Sequence, residues 1–405
     1  MSMATGVPHL PARGRQQRQQ QGAQEAGRRT WITPLGRRYF LLVYCLVVLG
    51  LVSVFSASYP FAGRPTPHGN DPYHYLLLQL LYAGIGLGGM LALARMRPQR
   101  LVGRLWYPGV ALGGGWALML TAIIYAHATG RYVNGACSWL PWPVPWEPAE
   151  FAKLAYVLFV ASRLASGPLP REHAGRIWIP IMGAGVVTCL LLMGQQLLGM
   201  ALVIILVTLG MALLGGMRMR TWVPLTLVVG VLSLGAARAV PHAWHRFKVW
   251  LHPGDYLSGA GLHVYNMLVT LAHGGLAGQG LGTSPEKWGN LSERFTDSIF
   301  CVIGGELGLW GGLGIIALMV LLGVCAFQIA RRCPHRLGFF LASGVGLAFA
   351  LQGLINIAVA TASMPPTGMT LPFISYGGSS VLSCLLGAGL VLSVAAETQP
   401  ARGEG

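Results

Sequence analysis

A few charged side chains lie in or beside the long apolar blocks of this 405-residue sequence, and they are the first candidates for chemistry. Glu150 and Lys153 begin one block, and a spacing of three puts them on one face of a helix. Asp297 immediately precedes another block, and Glu306 lies about two and a half helical turns further along it. A charge in or near hydrocarbon is costly, so each of these side chains needs a partner or a function. A carboxylate at the edge of such a block could act as a general base.

Each candidate also has a structural interpretation. Glu150 and Lys153 could form a local ion pair that lets the helix end tolerate two charges. Asp297 could be an N-cap, since Thr296-Asp297 precedes an apolar run and Asp is a preferred cap. For Glu306 we favour a buried, hydrogen-bonding role.

The long polar segment from about Pro241 to Asp297 carries most of the cations that could bind an anion. These cations are Arg246, Lys248, Lys287 and Arg294. The segment also has Gly-rich turns, but they follow no predicted strand, so a dinucleotide-binding fingerprint is rejected. Cations together with the segment's aromatic residues would suit an anionic, lipid-linked sugar.

The composition shows what must position these residues. Hydrophobic residues make up 54% of the chain and charged residues only 10%, against about 25% charged in soluble proteins. The apolar blocks are long enough to cross a bilayer, which takes about 20 residues each. The sequence therefore predicts an all-α, polytopic membrane protein with about ten spans. We place them near residues 39–58, 74–94, 104–126, 150–165, 176–193, 198–216, 221–240, 298–330, 338–362 and 376–396.

Basic residues predict the orientation, because cytoplasmic loops are enriched in Lys and Arg. The tail, the even-numbered loops and the C-terminus carry 20 of the 28 basic residues, whereas the odd-numbered loops carry six. Both termini are therefore predicted to be cytoplasmic, and the large loop 241–297 faces outward. The expected parts are a disordered basic tail at 1–30, a membrane domain at 31–397 and a short tail at 398–405.

The same distribution argues against other classes. The net charge of +16 comes from short clusters between apolar blocks rather than from one continuous basic face, so nucleic acid is not an expected partner. The seven cysteines form no CxxC pair, and neither a disulfide framework nor a metal site is indicated.

Several motifs resemble one family, the SEDS proteins (shape, elongation, division and sporulation), which include FtsW, RodA and SpoVE. Residues 365–380 read PPTGMTLPFISYGGSS, which is similar to the family signature TG-x-TLP-x-ISYGGSS. Residues 294–300 read RFTDSIF and residues 305–308 read GELG, similar to HTDFIF and EELG. Residues 147–154 read EPAEFAKL, similar to QPSE-x-AKL. Within the family, residues 280–287 and Thr370 favour the FtsW/SpoVE branch.

This resemblance implies a peptidoglycan glycosyltransferase that polymerises lipid II at the outer face of the bacterial cytoplasmic membrane. Its expected partners are a class B penicillin-binding transpeptidase, other division proteins and membrane lipids. Asp297 would be the catalytic base, and a divalent cation such as Mg²⁺ or Mn²⁺ could assist. The expected substrate-binding residues are Lys153, Glu150, Arg246, Lys248, Lys287, Arg294, Ser375 and Ser379. The expected structural residues are Glu306, Gly377 and Gly378.

Four positions depart from the family pattern. Ser138 replaces an arginine, Leu197 replaces an acid, Phe295 replaces a histidine, and Gly305 replaces the first glutamate of EELG. These departures keep two alternatives open, namely a flippase for lipid-linked precursors and a catalytically weak scaffold for a transpeptidase.

Overall fold

The computed structural model describes residues 32–62, 73–102, 106–132, 136–141, 145–167, 174–256, 260–284, 291 and 293–398. These ranges are helical and contain no strand longer than a single bridge pair, which confirms the all-α prediction. The helices are α1 Pro34–Ala62, α2 His74–Arg95, α3 Pro98–Val102, α4 Trp106–Thr129, α5 Pro148–Ala165, α6 Ala174–Gly194, α7 Leu198–Leu214, α8 Met219–Ala239, α9 Pro241–Leu251, α10 Ala260–Gly274, α11 Ile299–Arg332, α12 Arg336–Ala360 and α13 Gly378–Ala395.

Helices α12 and α13 form the centre of the bundle. In the apolar 18-residue stretch of each helix, 89% of the residues are buried in α13 and 72% in α12, against 22% in α2 and in α4. Small residues allow this close packing, since membrane helices associate through tight contact rather than through exclusion of water. Gly389 of α13 lies against the backbone of Met90 on α2, and Gly86 of α2 lies against Leu385.

Ten long helices match the ten predicted spans to within a few residues. Seven of the described helices are both long and apolar enough to cross a membrane. Helices α7 and α8 provide shorter apolar stretches, and α5 is less apolar because it carries Glu150, Lys153 and Arg163. The multi-pass architecture is therefore established, while the count of ten stays a prediction.

The segment 241–297, predicted as a loop, contains helices α9 and α10 with a short 3₁₀ turn between them. The predicted tail 1–30 lies outside the described residues, as does 398–405 except for Thr398.

The apolar block 298–330 is longer than one span needs, which predicts a helix that tilts, bends or extends beyond the membrane. Helix α11 forms this block, and it breaks at Gly308. The φ and ψ angles there are 67° and −163°, a conformation that favours glycine. The Gly-rich turn after α10 provides hydrogen-bond partners for the backbone groups at the break. Gly280 N donates to Glu306 O at 3.0 Å, and Leu309 N donates to Gly275 O at 2.9 Å. Irregular backbone in a membrane protein requires such internal partners.

Candidate active site

Asp297 lies in a tight turn immediately before α11. The backbone N–H groups of Thr296 and Ser298 donate to the carbonyl of Glu293 at 3.2 and 3.1 Å, and this closes the turn. Helix α11 then begins at Ile299 with Ser298 as its N-cap residue, which makes no side-chain cap bond. The N-cap interpretation of Asp297 is therefore wrong, because Ser298, one residue later, occupies the N-cap position.

Two acidic side chains share the Thr296 hydroxyl. Its Oγ1 lies 3.0 Å from Glu293 Oε2 and 3.1 Å from Asp297 Oδ1. Burial, followed by repulsion from Glu293, raises the pKa of Asp297 to about 6, against the opposing effect of hydrogen bonds and of Arg246. A carboxyl with this pKa is ionised at neutral pH and more basic than an ordinary aspartate, as a general base requires.

The segment 365–380 fixes the turn that carries Asp297. The Ser375 hydroxyl donates to Thr296 O at 2.5 Å and accepts from Leu371 N at 2.8 Å. Tyr376 N donates to Phe295 O at 2.8 Å. Ser375 is 1% exposed, so its hydroxyl positions backbone in this structure, and its predicted contact with substrate stays a prediction.

Asn356 of α12 provides a second anchor. Its Nδ2 donates to Met369 O at 2.6 Å and to Asp297 O at 3.0 Å. The amide is buried and therefore links the signature segment, the central helix and the backbone of Asp297. A side chain that bridges three elements in this way fixes the backbone from which the Asp297 carboxylate projects.

The predicted cations are placed unequally. Arg246 on α9 donates from Nη1 to Pro366 O at 3.3 Å and interacts electrostatically with Asp297, so it belongs to the site. Lys248 is exposed two residues further along α9, about 200° around the helix from Arg246. Arg294 is buried in the turn before Asp297, and Lys287 lies outside the described residues.

Glu150 and Lys153 form the predicted ion pair, with Lys153 Nζ 2.6 Å from Glu150 Oε2 at 3% and 2% side-chain exposure. Lys153 also donates to Gln352 Oε1 at 2.5 Å, and Gln352 Nε2 donates to Thr370 O at 3.1 Å. Gln352 lies one turn before Asn356 on α12. The ion pair therefore connects to Asp297 through Gln352, the signature segment and Asn356, which makes it part of the same rigid network.

The N-terminus of α13 packs on the N-terminus of α5. Ser379 Oγ, predicted to contact substrate, accepts from Glu147 N at 2.8 Å, and Gly377 N donates to Gln79 Oε1 at 3.4 Å. A side chain at Gly378 would collide with the ring of Tyr82 on α2. This close approach gives a structural reason for the glycine at position 378.

Glu306 is buried, and it lies two residues before the α11 break at Gly308. The Ser56 hydroxyl of α1 donates to its carboxylate, with Oγ 2.6 Å from Oε1 and 2.7 Å from Oε2. This contact ties α1 to the break and agrees with the structural role predicted for Glu306.

Two of the four departures from the family pattern have local explanations. A Cβ at Gly305 would lie 3.0 Å from Cγ2 of Thr270 on α10, so a glutamate there would require Thr270 to shift. Phe295 packs with Tyr75 and Tyr376, with ring centroids 5.0 and 5.7 Å apart, where a histidine would lose apolar contact. The aromatic cluster lies two residues from Asp297.

The other two departures meet beside an acid that the sequence analysis quoted but did not single out. Glu147 and Leu197 line one small pocket together with Glu150 and Thr367. Burial and then Glu150 raise the pKa of Glu147 to about 8, against the effects of Ser138 and Lys153. A pKa of about 8 favours the protonated form of Glu147 at neutral pH.

Sequence reasoning also missed Gln352, Glu293 and His263, whose Nε2 lies 3.5 Å from Ser298 Oγ. A signal was available for Gln352, because Gln352 and Asn356 are amides four residues apart in an otherwise apolar span. Glu293 and His263 are polar residues of a polar segment, and nothing in the sequence pairs them.

Within the described residues, no group of three or more His, Cys, Asp and Glu side chains comes together as a metal ligand set.

The fold and the site define a class: a multi-pass helical membrane protein whose partly buried carboxylate, with an arginine beside it, is held at the ends of its central helices. A model of the cell cycle protein family FtsW/RodA/SpoVE matches residues 37–400, and the chain belongs to this family.

Named relatives cover nearly the whole chain. The probable peptidoglycan glycosyltransferase FtsW of Halorhodospira halophila is 34% identical over 393 residues, which cover 95% of this chain and 96% of that protein. The stage V sporulation protein E of Bacillus subtilis is 32% identical over 355 residues, covering 87% and 94%.

Solved structures agree with the fold. A chain from a peptidoglycan synthase complex that coordinates polymerization and crosslinking is similar with a TM-score of 0.69 and 28% identity, covering 88% of this chain and 96% of that one. The rod shape determining protein RodA of Thermus thermophilus is similar with a TM-score of 0.62 and 27% identity, covering 89% and 97%.

Proposed function

We propose that this protein is a peptidoglycan glycosyltransferase that polymerises lipid II in cell division, at the outer face of the bacterial cytoplasmic membrane. The observation that carries the proposal is the placement of Asp297. Its carboxylate has a raised pKa, is held by the signature segment and has Arg246 beside it. The relatives named as peptidoglycan glycosyltransferases support the same reaction.

The reaction needs a base and a cation at one place. Asp297 accepts the proton of a hydroxyl group on the acceptor sugar. At the same time, the oxygen of that hydroxyl forms a bond to the anomeric carbon of the donor sugar. The bond from that carbon to the lipid pyrophosphate breaks, and its electron pair stays on the phosphate oxygen. Arg246 stabilises the charge that develops there. A single displacement inverts the anomeric carbon.

Lys153 has a different role from Arg246 in this scheme. Its ammonium group is buried against Glu150 and Gln352, so it stabilises the network that holds the signature segment. This network ends at Asn356 and the backbone of Asp297. Replacing Lys153 therefore displaces Asp297, although Lys153 makes no direct contact with it.

The orientation follows from the Lys and Arg distribution. Asp297, Arg246 and the outer ends of α5 and α13 belong to segments assigned to the outer face. Arg97, Arg336 and the C-terminus of α13 belong to segments assigned to the cytoplasm. Both termini are therefore cytoplasmic in the proposed topology, and the reaction takes place outside.

A class B penicillin-binding transpeptidase is the proposed partner, because polymerised glycan requires crosslinking. The similarity to a chain from a peptidoglycan synthase complex supports such an assembly.

Polymerisation of labelled lipid II by the purified protein tests the proposal. Glycan chains formed without another polymerase would establish the activity. A protein that moves lipid II across liposome membranes without forming glycan would be a flippase. A protein that does neither, yet binds its transpeptidase, would be a scaffold.

A further inference from the structure

Four segments assigned to the cytoplasmic side enclose an open concavity of about 950 Å³, at the end of the bundle away from Asp297. The segments are α3 and the turn before it, the end of α5, the turn between α11 and α12, and the residues after α13. The lining residues are Arg97, Gln99, Arg100, Ala165, Pro334, His335, Arg336, Leu337 and Glu397. Because these residues come from distant parts of the sequence, only the folded chain forms this basic concavity.

Its charge is positive. Three guanidinium groups, from Arg97, Arg100 and Arg336, face a single carboxylate, Glu397. The described part of the chain gives Arg97 and Arg100 no ion pair, and both side chains are exposed. Arg336 uses Nη2 to donate to Leu164 O at 3.3 Å, which anchors it and leaves its other N–H groups available. Guanidinium groups placed this way match the oxygens of a phosphate.

Gln99 adds a more specific feature. Its Nε2 donates to Glu397 Oε2 at 3.1 Å, and this contact fixes which end of the amide is which, since an ionised carboxylate only accepts. The other end, Gln99 Oε1, is buried and has no hydrogen-bond partner among the described residues. A buried acceptor without a donor is costly. The half-buried Gln99 side chain lines the concavity, so a small rotation that exposes Oε1 lets a ligand hydroxyl satisfy it.

We propose that the basic concavity binds the headgroup of a glycerol-bearing anionic phospholipid, of the phosphatidylglycerol type, from the cytoplasmic leaflet. The arginines bind the phosphodiester, and Gln99 Oε1 accepts from a glycerol hydroxyl. Pro334, Leu337 and Ala165 supply apolar wall for the start of the acyl region. Basic pockets between the cytoplasmic ends of membrane helices bind such headgroups in general. The inference rests on the proposed topology but not on the polymerase activity.

The test uses the full chain in nanodiscs, with bound lipid measured by native mass spectrometry after exchange against phosphatidylcholine. We expect wild-type protein to retain phosphatidylglycerol. The triple variant Arg97→Gln, Arg100→Gln, Arg336→Gln should retain it about 100-fold more weakly, because it loses three direct guanidinium–phosphate contacts within the concavity.

The matched control removes three exposed arginines that do not line the concavity but belong to segments assigned to the same side. These are Arg176, Arg218 and Arg220. We expect less than about a threefold change, since only general surface attraction is lost. An equal loss in both triple variants would overturn the proposal.

Two ligand comparisons test the chemistry. Phosphatidylethanol has the same singly charged phosphodiester without the glycerol hydroxyls, and we expect it to bind about 2- to 10-fold more weakly than phosphatidylglycerol, as for the loss of one hydrogen bond. Equal binding of the two lipids would overturn the role of Gln99. Displacement of the lipid by equimolar glycerol 1-phosphate would mean that the concavity takes a soluble anion, which would overturn the lipid assignment.

Discussion

Replacing Asp297 by Asn separates catalysis from structure. The amide keeps the size of the side chain, and its oxygen can still accept from Thr296 Oγ1, which lies 3.1 Å from the acid in the wild type. The amide cannot take the proton of the attacking hydroxyl. General-base catalysis contributes about 10² to 10⁴ in rate, so polymerisation should fall by about that factor.

The same change should leave the protein at least as stable. The folded chain raises the pKa of Asp297 from 3.8 to about 6, so the carboxylate binds its proton more tightly when folded than when unfolded. Ionisation therefore costs the wild type stability as pH rises from about 4 to about 6. Two pKa units correspond to about 3 kcal/mol, and partial exposure of the group reduces this to about 1–3 kcal/mol. An uncharged Asn avoids this cost above pH 6 and has no advantage below pH 4.

Both quantities can be measured on purified protein. Glycan formation from fluorescent lipid II gives the rate, and thermal unfolding at pH 4 and pH 8 gives the stability. Asp255→Asn is the matched control, since it makes the same change at an exposed aspartate of the same outer segment and should alter neither. Wild-type polymerisation by Asp297→Asn would refute the assignment of the base. A variant that is inactive and much less stable at pH 8 would refute the separation of the two roles.

Four other outcomes are expected. Lys153→Met leaves the buried Glu150 carboxylate without its partner and should cost about 3–5 kcal/mol of stability and most of the polymerisation activity. An active variant would place the ion pair outside the catalytic network. Reporter fusions near Gln279 should read as external and fusions near Arg332 as cytoplasmic, and a cytoplasmic signal near Gln279 would place the site on the wrong side. Gly308→Ala forces a side chain into a glycine conformation against the turn after α10 and should cost about 1–3 kcal/mol, measured as a lower Tm, while an unchanged Tm would show that the break can straighten. The stability of Glu147→Gln relative to the wild type should increase as pH rises from about 5 to about 8, because burial and Glu150 raise the pKa of Glu147 to about 8. A stability difference that is the same at pH 5 and pH 8 would show that Glu147 is ionised throughout.

Much of the fold could be read from the sequence because a bilayer imposes a simple rule. A span needs about 20 apolar residues, so blocks of that length predict helices with useful accuracy. The length of the block 298–330 predicts a helix that tilts, bends or extends beyond the membrane, and the helix does bend, at Gly308. The spacing of Gly304, Gly308 and Gly312 by four predicts close packing, and Gly304 and Gly308 do lie against α10 and the turn after it. The spacing does not show that the helix also breaks at Gly308.

The sequence by itself determined the class, the family resemblance and the candidate base, because these depend on residue type and on local spacing. Glu150 and Lys153 are three residues apart on one helix, and their ion pair is a local event. Only the tertiary structure decided which distant groups meet Asp297. Asn356 and Arg246 reach it from two other helices, and Ser375 holds the neighbouring residue Thr296. Contacts of this kind arise from helix packing, which local sequence spacing does not specify. For the same reason, the sequence showed Arg97 and Arg336 as topology signals, and only the packed helix ends bring them together around Gln99 as a binding site.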